Sequence, residues 1–182
     1  MGTVAIVDYG VGNLKSVANA LSYLGCSSCI TADPAELERA DAIILPGVGA
    51  FPDAADRLRS GGLDQHVLAQ GQKKPVLGIC LGMQLLLEQG REVRPCPGLG
   101  VIRGTVDRIP TQSKLPHIGW NSLRFFHHSP LFRGLDEGAY VYFVHSFSAQ
   151  DTDPAQVIAA TDYGPAVTAA VSSGNFYGTQ FH

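Results

Sequence analysis

Residues 75–88 read Pro75-Val-Leu-Gly-Ile-Cys80-Leu-Gly-Met-Gln84-Leu-Leu-Leu-Glu88. The unbroken apolar run over 75–79 is that of a buried strand, and the Leu-rich stretch after Gly82 continues as a helix. Gly78 and Gly82 stand two residues either side of Cys80, which allows a tight strand-to-helix turn and close packing of the helix on the strand. The segment therefore reads as a nucleophile elbow with Cys in the place of Ser, its side chain projecting into solvent above the sheet. A helix N-terminus aimed at the sulfur lowers a thiol pKa from its usual ~8.5, so a thiolate is expected at neutral pH. A free Cys is more commonly a small buried hydrophobe; the two glycines and the turn set Cys80 apart from that role.

Three further strands precede this one, at residues 3–8, 26–31 and 42–45. Helical spacing of Leu14, Val17, Ala18, Leu21 and Leu24 links the first two, Gly25 stops that helix, and Asp33-Pro34 caps a second. Continuous apolar strands alternating with helices imply a parallel sheet covered on both faces. From about Gly98 the texture becomes β-rich, with strand patterns at 100–109, 117–125, 139–149, 157–161, 166–172 and 175–181 that read as antiparallel. No linker, repeat or low-complexity tract separates the halves. The expected fold is one α/β domain over residues 1–182, a three-layer open sheet with a parallel core and antiparallel additions.

Composition narrows the function. The 182 residues are 45% hydrophobic and 16% charged, with a net charge of −3, and a chain of this length builds a core without disulfides or metal. Polyanion binding needs clustered Lys and Arg, so nucleic acid is not an expected partner. No run approaches the ~20 apolar residues that span a bilayer, and the N-terminal segment lacks a basic export signal. Cys26, Cys29, Cys80 and Cys96 are too few and too irregular for a disulfide framework, which fits a reducing cytoplasm.

A cysteine nucleophile needs a base. Of His66, His117, His127, His128, His145 and His182, the last ends an apolar strand where ligands gather in open α/β folds. His145 is the alternative, either as base or as a satisfied core histidine, and His127-His128 reads as a polar loop. The strand over 42–45 ends in Pro46-Gly47-Val48-Gly49, whose backbone N–H groups, with that of Leu81, suit an oxyanion. Gly10-Val-Gly-Asn-Leu-Lys15 lacks the third glycine of a dinucleotide site. Cys26 and Cys29, three apart at a strand start, point to opposite faces and have no second pair to complete a zinc site, so they read as packing. No metal or cofactor is expected.

Gly78-Ile-Cys80-Leu-Gly-Met-Gln84 and Gly178-Thr-Gln-Phe-His182 resemble the nucleophile and histidine motifs of the class I glutamine amidotransferases. Asp8-Tyr-Gly-Val-Gly-Asn-Leu14, Pro46-Gly-Val-Gly-Ala-Phe51, Leu115-Pro-His-Ile-Gly-Trp-Asn121 and Tyr142-Phe-Val-His-Ser-Phe147 resemble, within that family, the glutaminase subunits of imidazole glycerol phosphate synthases. The resemblance implies that Cys80 attacks the glutamine side-chain amide, that His182 passes the proton to departing ammonia, and that water hydrolyses the glutamyl thioester. It places Gln84 and the backbone near Ser146 and Phe147 around the glutamine, beside the oxyanion donors expected from Gly47, Val48, Gly49 and Leu81. It also implies a heterodimer with a cyclase (β/α)8-barrel in histidine biosynthesis, to which ammonia is channelled, with Pro116, Ile118, Trp120 and Tyr142 near the interface. Each of those four reads equally as ordinary core. The family's motif continues past its histidine as Pro-Glu, and that Glu orients the base; this chain ends at His182, so either the sequence is truncated or the third triad residue is lacking, and the expectation is a domain truncated at its C-terminus. The competing readings are an amidotransferase of another pathway, which shares the elbow but not the 115–121 segment, a catalytically silent binding subunit, and a stand-alone cysteine hydrolase.

Overall fold

The computed structural model describes residues 2–182. Asn13 accepts a hydrogen bond from Ser16 N and Asp33 from Ala35 N, and these caps start two helices of a regular alternation. In chain order the first half runs β1 (Thr3–Val7), α1 (Leu14–Tyr23), β2 (Ser27–Thr31), α2 (Pro34–Arg39), β3 (Ala42–Gly47), α3 (Phe51–Ser60), α4 (Leu63–Gly71), β4 (Val76–Cys80) and α5 (Leu81–Leu85). The second half runs β5 (Leu87–Gly90), β6 (Cys96–Pro97), β7 (Ile102–Arg108), β8 (His117–Ser122), β9 (Arg124–Phe125), β10 (Tyr140–His145), β11 (Phe147–Gln150), β12 (Val157–Asp162), β13 (Ala166–Ser173) and β14 (Phe176–Thr179).

The main sheet has the order β2-β1-β3-β4-β14-β13-β12-β9. β2, β1, β3, β4 and β14 are mutually parallel, and β14 onward is antiparallel. This is the expected parallel core with antiparallel additions. Leu37 of α2, Phe51 and Leu58 of α3, Val67 of α4 and Leu85 of α5 pack on the alternate residues Ala5, Val7, Ile43, Leu45 and Val76 as one apolar layer. A second cluster, including Leu123, Phe143, Ile158 and Ala169, lies under the antiparallel end.

The second half both extends the main sheet, with β14, β13, β12 and β9, and adds to it: β10 and β8 form a separate ribbon, and β11-β7-β5-β6 form a third sheet. Four local readings change. The strand expected over 139–149 breaks at Ser146 because β10 pairs with β8 whereas β11 pairs with β7, a change of partner that leaves no mark on an apolar run. The helix after Cys80 is only five residues long, and Leu87 already belongs to a strand. Leu85, Leu86 and Leu87 are all buried, so periodicity could not separate helix from strand there. β3 continues through Pro46, which is tolerated because β1 pairs with it only as far as Ile44 and requires no N–H beyond. Finally, α1 forms over its apolar stripe, yet none of its side chains is fully buried.

Candidate active site

Cys80 closes β4 with φ 56° and ψ −112°, a conformation that costs a non-glycine residue about 1–3 kcal/mol. The surroundings impose it. A Cβ at Gly78 would stand 2.5 Å from Gly82 O, and one at Gly82 would overlap the carbonyl of Leu45, so main chain packs directly on main chain around the turn. This corrects two expectations about the sulfur. Cys80 does not project into solvent but is 9% exposed, and burial pushes its thiol up rather than leaving a thiolate, partly countered by the Leu81 N–H and the Gln180 amide. A five-residue helix carries too little aligned dipole to reverse that.

Strand register gathers the rest. Gly47 lies opposite Cys80 across β3 and β4, and Thr179 opposite Ile79 across β14 and β4. Three adjacent parallel strands therefore end together, and their following residues border one pocket of about 360 Å³, within the range of small-molecule sites. Val48, Gly49, Cys80, Leu81, Gln84, Ser146, Phe147 and His182 line it. Gly47 sits just behind, buried at the end of β3. Glu92, Val144 and His145 also line the pocket and were not assigned to it from sequence. Among the described residues that line it, Glu92 is the one with an acidic side chain, and one of its oxygens accepts from Phe51 N at 2.8 Å.

The two candidate histidines differ in what their rings do. His145 Nδ1 faces Phe147 O at 2.8 Å and its Nε2 faces His117 Nδ1 at 3.2 Å. His117 Nε2 in turn faces the Asn121 amide at 3.4 Å. A carbonyl only accepts, so His145 carries its proton on Nδ1, His117 carries its own on Nδ1, and the Asn121 amide donates to His117 Nε2. Burial, with His117 and His182 nearby, lowers the His145 pKa to about 4 despite its bond to Phe147 O. Both nitrogens of His145 are thus engaged. His182 is tied through its backbone N–H to Tyr142 O at 3.1 Å, borders the pocket at its exposed edge, and is held below the usual imidazole range by burial. His66, His127 and His128 are exposed and do not line the pocket.

Behind the pocket, Gln84 Nε2 donates to Phe147 O at 3.1 Å and to Gln180 Oε1 at 2.9 Å, and Gln180 Nε2 donates to Cys80 Sγ at 3.7 Å. Tyr9 donates its hydroxyl to Pro46 O at 2.6 Å; burial first and the nearby Cys80 second raise its pKa. Sequence reasoning passed over Gln180, although a Gln inside the apolar run 175–181 was a visible irregularity. Glu92 sits in a charged loop and carried no such signal.

The ribbon of β8 and β10 has two faces. His117, Phe143 and His145 point inward, while Ile118, Trp120, Tyr142 and Val144 form cross-strand pairs on the outside. Trp120 is 70% exposed and meets Tyr142 edge-on at 5.8 Å. Pro116 is exposed as well. None of the four residues named for an interface is core. Cys26 is also exposed, contrary to its reading as packing, because it precedes β2 in the turn; Cys29 is half-buried against the core. Among the described residues no helix is long and apolar enough to cross a membrane.

The family model "Glutamine amidotransferase class-I" matches residues 5–182. The imidazole glycerol phosphate synthase subunit HisH of Oceanobacillus iheyensis is 47% identical over 180 residues, 98% of this chain and 90% of that protein. The subunit of the same name from Bacillus cereus is 46% identical over 182 residues, 98% of this chain and 86% of that protein. A crystal structure of a glutamine amidotransferase superposes with a TM-score of 0.77 at 21% identity, covering all of this chain and 90% of the other. A putative GMP synthase subunit from Thermoplasma acidophilum gives 0.75 at 22% identity, covering all of this chain and 84% of the other.

Proposed function

Because the chain belongs to the class I glutamine amidotransferases, we propose that its 182 residues lie within one domain and belong to the glutaminase subunit of an imidazole glycerol phosphate synthase. The observation that carries the site assignment is the placement of Cys80, on a strained turn at the wall of a closed-backed pocket, beside the strand that delivers His182.

In this reading glutamine enters with its side-chain amide toward Cys80. The thiol and the imidazole of His182 are both neutral at pH 7, so His182 first takes the Sγ proton as sulfur attacks the amide carbon. Leu81 N–H and the N–H groups of Val48 and Gly49 hold the oxyanion. The C–N bond then breaks, His182 returns the proton to the departing ammonia, and water hydrolyses the thioester to glutamate. Glu92 pairs with the substrate ammonium, and the backbone of Ser146 and Phe147, with Gln84, borders the rest of the glutamine.

Ammonia released into water becomes ammonium, which is not a nucleophile, so the product must pass directly to an acceptor subunit. The partner in this reading is a cyclase (β/α)8-barrel in the cytoplasm, forming a heterodimer through the face that carries Pro116, Ile118, Trp120 and Tyr142. A cluster of exposed aromatics is suited to anchor such an interface.

The site is tested with a glutamine-analogue electrophile followed by peptide mass mapping. The adduct is expected on Cys80, and an adduct on Cys26, Cys29 or Cys96 instead overturns the assignment. The docking face is tested by titrating the barrel subunit while following glutamate release. Release is expected to rise on docking, and Trp120→Ala to weaken docking by about 2 kcal/mol, or about 30-fold. Unchanged affinity in that variant removes Trp120 from the interface.

A further inference from the structure

We propose that Gln180 is the group that holds the Cys80 sulfur and donates a hydrogen bond to it, with its amide turned the right way by Gln84 and Phe147. The inference rests on the reading of Cys80 as nucleophile and adds to it a residue to which no role has been given.

A carboxamide has a donating and an accepting end. Beside a nucleophilic sulfur the accepting end would repel the lone pairs it should stabilise. The orientation here follows from a group that cannot be reversed. Phe147 O is a backbone carbonyl and only accepts, so the Gln84 amide must present Nε2 to it, at 3.1 Å. The same nitrogen reaches Gln180 at 2.9 Å, so Gln180 must present Oε1 there. Its Nε2 is thereby left for Cys80 Sγ, at 3.7 Å.

Two conditions keep this order in place. Gln180 is 0% exposed and Gln84 5%, so neither amide gains by turning toward water, and a flip of either would set like ends against each other in a dry interior. The Gln180 backbone is itself anchored, its N–H donating to Ala169 O at 2.8 Å, one residue beyond the Thr179–Ile79 pairing. The donor thus stands beside the sulfur before substrate arrives. It works against burial, which disfavours the thiolate, and becomes stronger as the sulfur gains charge. With both hydrogens of Gln84 Nε2 engaged, Gln84 meets substrate through its oxygen.

The test is the pH profile of Cys80 alkylation by iodoacetamide in the whole chain, without glutamine or partner, followed by peptide mapping. In Gln180→Met, of similar size but with no donor, the apparent thiol pKa is expected to rise by about one unit. Alkylation at pH 7 then falls about tenfold. Gln180→Glu, which replaces the donor by an acceptor, is expected to shift it further. Gln84→Met, which frees Gln180 to turn, is expected to shift it in the same direction by less. Loss of the native fold moves the pKa the other way, toward that of a free thiol, and speeds alkylation, so it cannot imitate the expected result. A natively folded Gln180→Met chain with an unchanged profile overturns the inference alone. Glutamate release that persists without the Cys80 sulfur overturns the functional reading instead.

Discussion

Gly82→Ala is expected to cost the fold at least about 3 kcal/mol and to remove glutaminase activity with it. Ordinary overpacking costs about 1–3 kcal/mol because side chains and backbone give way. Here the added methyl would overlap the Leu45 carbonyl and lie 2.8 Å from Leu45 C. That backbone cannot yield, since β3 is paired with β4 through Ile43 to Gly47 and with β1 through Ala42 to Ile44. Either the helix following Cys80 lifts off the sheet or the pairing beneath it breaks, and both displace the sulfur. Urea unfolding of the variant beside Gly61→Ala measures this. Beyond its chain neighbours, the added methyl at Gly61 comes no closer than 3.7 Å to another atom, so its stability should change by no more than about 0.5 kcal/mol. A Gly82→Ala chain as stable as the Gly61 control would show that the close approach is not required.

Cys80→Ala is expected to lower glutamate release by about 10⁴-fold or more, because losing the nucleophile removes the covalent route entirely. Stability should move little, since Ala meets the same turn and leaves only the space of one sulfur atom. The wild-type enzyme should show a matching pH dependence. Burial pushes the Cys80 thiol up and the His182 imidazole down, so at neutral pH the reactants are a thiol and a free base. Turnover should then climb as pH rises above neutral, through growth of the thiolate fraction, and fall as His182 takes a proton in acid. Glutamate release measured with the partner present, for wild type and Cys80→Ala over the same pH range, tests both points. Residual activity within a hundredfold of wild type in the variant would refute the role of the sulfur.

The elbow was legible because three independent signals coincide within seven residues: an apolar strand, Gly78 and Gly82 around one Cys, and a helix start. The parallel half of the sheet was legible for a related reason, since buried strands and capped helices each carry local patterns. What escaped depends on pairing partners. Nothing in Tyr142-Phe-Val-His-Ser-Phe147 says that the chain leaves one sheet for another at Ser146, and that step brings Phe147 O to both His145 and Gln84. The same ambiguity hid the buried status of the sulfur, because the turn was visible but Gln180, which donates to the sulfur, comes from a segment a hundred residues further on. Ile118 and Trp120 alternate with His117 and Gly119, a pattern that specifies two faces without saying which is covered. From the residues alone, the choice between His145 and His182 rested on strand position, with the resemblance of the 178–182 segment beside it, until the ring partners of His145 were in view.

β14 joins what the ribosome makes first to what it makes late. In chain order it follows every other strand of the main sheet, yet it lies between β4 and β13. Until residues 176–179 are in place, β4 and β13 each therefore lack the neighbour that β14 provides, and each leaves a raw edge. For that interval the nascent protein has the exposed hydrogen-bonding edges through which unfinished sheets aggregate. The same insertion brings Gln180 to the sulfur and His182 to its pocket, so the thiol acquires these two groups only when the sheet is whole.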